Sequence, residues 1–308
     1  MVLFGLAAAG SGIATVSSVQ AAPATGASTP ASDAAAEGAA PHEVGQEDAP
    51  AAPDPGFAIA LLAVCFLTAI AVAPTVVWSR WRGMRAALAL AALVYGETTV
   101  LAQLETLVYL PQVSRTFVAR IFLFGAMWSV PLALTAVWLL GWARSPAAAR
   151  ATPLRSMGWS WWGSRVGAVA ILHVLVYYLA GYYLAWKNPV LRSFYGGTDP
   201  GSFLRQLRSI AETTPWMYPY QLAQGVFWAL LVVVLARMLV GSRLRVAVTA
   251  AVFLAIVGPC QLLLPNPLMP TDVRLTHLVE TAVSRFVFGF AAVWLLLPAA
   301  RSRVAGSP

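Results

Sequence analysis

Two stretches of an otherwise apolar chain carry residue types that can do chemistry. From Asn266 to Phe288 the sequence reads NPLMPTDVRLTHLVETAVSRFVF, and from Gly96 to Tyr109 it reads GETTVLAQLETLVY. Charged side chains are costly in hydrocarbon, so they turn toward a protein interior or a watery cavity and often mark function. At ~100° per residue, Arg274, His277, Glu280, Thr281, Ser284, Arg285 and Phe288 fall within an arc of about 140°. Leu275, Leu278, Val279, Ala282, Val283, Phe286 and Val287 fill the opposite face. One such face needs a polar partner surface and the other an apolar one.

His277 and Glu280 are three residues apart and project from neighbouring positions on one helix face. An imidazole and a carboxylate so placed admit three chemistries. Joined by Glu105, they form a candidate ligand set for a divalent metal with one open position. With Glu105 they also form a candidate proton relay, the usual role of ionisable side chains in transporters. Acid–base catalysis by Glu105, His277 and Glu280 is the third option. No nucleophile motif accompanies them: there is no GxSxG elbow, no HExxH and no Cys–His pair at helical spacing.

Depth along each apolar segment sorts the polar residues into two layers. Rise counted at ~1.5 Å per residue brings Glu97 and Arg285 to matched mid-membrane depth, which predicts a structural ion pair between them. Glu105, Gln224, Gln261 and Glu280 align one layer further out, with Gln221, His277 and Arg120 about one turn higher. With Arg274 at the rim, these residues make a candidate ligand or ion pocket. Glu97 and Glu105, eight residues apart on one helix, lie ~12 Å and ~80° from each other and cannot touch. His173 falls in the inner half of its segment, away from the pocket, and is expected to bond a neighbouring helix.

The elements that must position these groups follow from composition. The 308 residues are 59% hydrophobic and 10% charged, far from the ~25% charged content of soluble domains. The net charge of +8 is spread over short loops, which argues for membrane orientation signals and against nucleic-acid binding. Cys65 and Cys260 both sit in apolar segments, so no disulfide framework is expected. Seven apolar segments of the ~20 residues needed to span a bilayer are expected at about 57–78, 87–110, 118–141, 166–186, 220–240, 244–264 and 277–298. Arginines concentrate after the first, third, fifth and seventh, which places the C-terminus in the cytoplasm and the N-terminal region outside a cytoplasmic membrane. The expected fold is an all-α polytopic bundle of seven transmembrane helices over residues 57–299.

Residues 1–21 resemble a signal peptide or a weak anchor, although no basic residue opens them. Residues 22–56, acidic and rich in Ala and Pro, read as a disordered extracytoplasmic tail, and 300–308 as a cytoplasmic tail. The single long outer connection carries Phe203, Leu207 and Ile210 at helical spacing after Ser202, predicting an external amphipathic helix at about 201–212. Pro131 and Gly258-Pro259 are expected to kink or interrupt their helices, and Thr271-Asp272 to cap the last one. These features together point to a permease or an ion- or proton-coupled transporter of a small polar solute. The alternatives are a membrane-embedded enzyme, with or without a metal, acting on a lipid, a lipid-linked molecule or a peptide, and a structural or assembly subunit of a membrane complex.

Overall fold

The structure, a computed structural model, describes residues 55–109, 113–141, 159–265 and 269–297. The signal-peptide-like segment, nearly all of the acidic tail and the C-terminal tail lie outside the described residues. Within them the chain is nearly all helical. The helices are α1 (Pro55–Val77), α2 (Gly83–Tyr109), α3 (Arg115–Leu140), α4 (Trp159–Ala180, prolonged by a π turn Gly181–Ala185), α5 (Pro189–Phe194), α6 (Phe203–Thr213), α7 (Met217–Met238), α8 (Arg243–Ile256, prolonged by a 3-10 turn Pro259–Leu263) and α9 (Thr271–Leu296). Seven of these, all but α5 and α6, are long and apolar enough to cross a membrane.

Local chemistry explains four of the helix starts. Ser114, Ser202 and Ser242 each accept the backbone N–H three residues on, and Asn188 accepts that of Val190, satisfying donors that a helix start leaves open. The last helix differs from expectation. Its expected cap, Thr271-Asp272, is already its first turn: the helix begins at Thr271 after Pro270, without a side-chain cap. Its first turn therefore already contains Asp272 and Arg274. Helix α3 runs through Pro131 without a break, whereas α8 stops short of Gly258-Pro259. Glycine and proline in succession remove both side-chain packing and one donor there.

The helices meet where side chains are small. A Cβ on Gly225 of α7 would lie 2.6 Å from the Ala170 carbonyl oxygen of α4, and one on Gly289 of α9 would lie 3.0 Å from Ala251 Cα of α8. Close backbone approach of this kind is how apolar helices associate when lipid competes for their side chains. Leu90, Leu93, Leu235, Phe253, Leu254 and Leu296 fill the core of one half of the bundle. That half terminates in arginines and tryptophans and forms the basic end of the bundle. The opposite end carries α5, α6 and the tyrosines.

Two backbone hydrogen bonds tie the loops of the basic end together. Arg80 N–H donates to Met238 O and Val240 N–H to Trp78 O, both at 2.9 Å, around an isolated bridge between Ser79 and Leu239. The clasp joins the α1–α2 turn to the α7–α8 turn.

Candidate functional site

Helix α9 presents its apolar face outward. Leu275, Val279, Val283, Phe286 and Val287 are exposed, while Arg274 and Glu280 are buried and His277 and Arg285 half-buried. His277 Nδ1 lies 2.9 Å from Glu280 Oε2, and its Nε2 lies 3.1 Å from the Tyr195 hydroxyl. With Nδ1–H donating to the carboxylate, the Nε2 lone pair is left to accept from tyrosine, so Glu280 sets the ring's tautomer and orientation. Tyr195 is 39% exposed as a residue, but its phenol end turns in to His277. Burial there, with the charges of Glu105 and Glu280 adding, raises the phenol above its usual range, which keeps it a donor. The loop is held in place by Asn188, which caps α5 and donates to Thr276 Oγ1 at 2.6 Å, one residue from His277.

A second set of hydrogen bonds lies beside the first. Gln221 on α7 donates to Tyr109 Oη of α2 at 3.2 Å, and its Oε1 lies 3.3 Å from His173 Nε2 of α4. The Tyr109 and Tyr177 hydroxyls are 3.4 Å apart. Gln224, one turn on, donates to Glu105 Oε1 at 3.4 Å and to Tyr220 Oη at 2.9 Å. Tyr177 is held in this second set through Tyr109 and packs beside His173, their ring centroids 6.2 Å apart. His173 thus does bond a neighbouring helix, but within the outer layer and not below it. Helix α4 begins at Trp159, seven residues before the expected 166, which raises His173 by about 10 Å.

Deeper still, Arg285 Nη1 lies 3.4 Å from Glu97 Oε1. The same oxygen accepts the Gly258 N–H at 3.2 Å, while Oε2 is buried with no partner among the described residues. The guanidinium also stacks 4.7 Å over the Trp228 ring, a favourable seat for a desolvated cation. Two helix distortions and one close approach converge on this carboxylate. Helix α2 widens to a π turn over Gly96–Leu101, α8 breaks at Gly258-Pro259, and a Cβ on Gly258 would collide with Arg285 Nη1. π turns recur at functional sites. This one also alters the angle between Glu97 and Glu105 expected from an unbroken α-helix.

Of the residues expected in the pocket, Arg120 lies elsewhere, and Arg274 and Gln261 serve the backbone around the α8–α9 turn. Arg120 is exposed on the outside of α3; depth along a helix does not fix the direction a side chain faces. Arg274 donates to Leu264 O at 2.6 Å and to Thr271 Oγ1 at 3.4 Å, so it staples the α8–α9 turn. Gln261 is buried in the 3-10 turn that follows Gly258, midway between Gly258, which bonds Glu97, and Leu264, which bonds Arg274. Glu105, His277 and Glu280 do not form a metal cluster: among the described residues no three His, Cys, Asp or Glu side chains converge as metal ligands would. Conversely, Tyr195, Tyr109 and Tyr177 belong to the site although their positions in the sequence carry no sign of it. Gln103, one turn above Thr99 on α2, is fully buried with neither end of its amide paired among the described residues. Compared with known proteins, the chain matches no family model, no curated protein and no solved structure.

Proposed function

We propose that this protein is a proton-coupled permease for a small polar or ionic solute, in the cytoplasmic membrane, with its tyrosine-rich end outside and its C-terminus in the cytoplasm. The observation that carries the reading is His277 held between Glu280 and Tyr195 at the mouth of a column of polar groups. An imidazole so placed takes a proton from one neighbour as it yields one to the other, and further in Tyr177, Tyr109, Gln221 and His173 are hydrogen-bonded in series, with His173 stacked on the Trp228 ring that Arg285 also covers. Glu105 and Gln224, whose Oε1 is buried and unpartnered among the described residues, supply polar contacts for a solute. A broken helix beside an intramembrane charge pair is a feature of transporters.

The test is proton flux in proteoliposomes loaded with a pH-sensitive dye and challenged with a panel of sugars, amino acids, carboxylates and inorganic ions. Wild-type vesicles are expected to take up protons with at least one solute. His277→Ala and Tyr195→Phe should cut that flux by about 100-fold or more with melting unchanged. Flux that persists in both variants sinks the relay.

A second reading is favoured by one observation. Below Glu97 the bundle is filled by Leu90, Leu93, Leu235 and Phe253, so the polar column does not continue to the basic end. A membrane-embedded enzyme acting on a lipid or peptide from that side needs no second opening. Turnover of such a substrate without solute flux would establish it. A structural subunit would instead show loss of folding, with neither flux nor turnover, when His277 or Glu280 is replaced.

A further inference from the structure

Among the described residues no Asp or Glu lies at the basic end, and arginine is its only cation, since Lys187 is the single lysine of the chain. The guanidinium groups there are held over indole faces, Arg85 on Trp81 at 4.5 Å and Arg245 on Trp78 at 5.5 Å. Stacking holds the plane of a guanidinium and leaves N–H edges for a planar, two-pronged acceptor, the geometry of phosphate recognition. With no described carboxylate beside it as a counter-charge, this surface calls for an anion from outside the chain.

Next to it lies a groove of about 500 Å³ between α1 and α3. It is apolar and opens sideways, and its walls run from Cys65 and Met127 to Leu140. The fourteen residues of α3 from Met127 to Leu140 rise ~20 Å. One leaflet contributes ~15 Å to a ~30 Å hydrocarbon core. The groove is therefore as long as one leaflet's acyl chain, and it starts at mid-membrane and ends at the basic end. In that last turn of α3, Trp138 and Gly141 line a second cavity of about 450 Å³ with Arg82 and Gly83. Arg82 and Trp138 are both exposed.

We propose that this corner is a specific site for one anionic glycerophospholipid, with an acyl chain in the α1–α3 groove and its phosphate at Arg82. Length and charge agree on that occupant: the groove matches a single leaflet, and the cations stand where that leaflet's phosphates lie. Thr68 lines the groove, and its hydroxyl is 3.6 Å from Cys260 Sγ, two residues past Gly258. An acyl chain there touches Thr68, which in turn contacts the broken segment of α8.

The site is tested on the full-length protein in detergent, by melting and by mass spectrometry of retained lipid. Phosphatidylglycerol is expected to raise the melting temperature and to be retained as one molecule, and phosphatidylcholine to do neither. Arg82→Gln should weaken the phosphatidylglycerol effect about fivefold. Ala69→Trp, at an exposed position on the groove wall, should abolish retention of the single lipid. Three results would overturn the site: equal stabilisation by phosphatidylcholine, an undiminished phosphatidylglycerol effect in both variants, or full stabilisation by glycerol phosphate or inorganic phosphate alone. Melting of Ala69→Trp without added lipid checks its folding. If it does not fold, Arg82→Gln decides the matter.

Discussion

Replacing Arg285 with methionine is expected to cost about 3–5 kcal/mol of stability. Methionine keeps the length and the contact with Trp228 but leaves the Glu97 carboxylate in the core with one backbone donor, Gly258 N–H. A buried charge without its counter-charge has no water to fall back on. The double variant Glu97→Gln/Arg285→Met should recover most of the loss, because a neutral amide still accepts from Gly258 and no charge is stranded. Denaturation midpoints in detergent measure both. If single and double variants melt together, the pair does not hold the bundle together.

Gly225→Ala is expected to cost about 1–3 kcal/mol. The added Cβ would meet the backbone of Ala170, at 2.6 Å from its oxygen and 2.9 Å from its Cα. A backbone cannot rotate away as a side chain can, so α7 must back off from α4. Gln221 and His173, one turn from this contact on their own helices, then lose their hydrogen bond. Gly167→Ala on the same α4 is the control. A Cβ there meets nothing within 4 Å, and replacing glycine within a helix should add roughly 0.5–1 kcal/mol. Melting temperatures and the imidazole nitrogen resonances of His173 distinguish displacement from a general loss of fold. A normal melt with an unshifted His173 signal in Gly225→Ala would contradict the close packing.

The seven long helices are legible in the sequence because each is a predominantly apolar run of membrane-spanning length. The Glu97–Arg285 contact is legible too, since depth in a membrane is one coordinate and rise per residue measures it. Direction around the helix is the coordinate that counting lacks, and Arg120 shows the result: it faces outward from α3. Tyr195 reaches His277 from a loop 82 residues away, with no periodicity to announce it, and tyrosines at a helix end read first as an interfacial belt. His173 sits higher than residue counting places it because Trp159–Arg165, with its serines and arginine, looks like a loop and is instead the first two turns of α4. The π turns at Gly96–Leu101 and Gly181–Ala185 leave no compositional trace.

The clasp between the α1–α2 and α7–α8 turns has a mechanical consequence. It pins α2 to α7 at one extremity, where Leu90 and Leu235 also pack, so relative motion of the two helices has its fulcrum there. The lever arm to the opposite extremity is the length of α7, ~33 Å. A tilt of roughly 5° about the clasp then moves the far ends apart by about 3 Å while the packed base barely shifts. The groups set across that far gap are Glu105 with Gln224 and Tyr109 with Gln221, joined at 3.4 and 3.2 Å. A tilt of that kind would part those two glutamines from their partners before it disturbed anything at the clasped base.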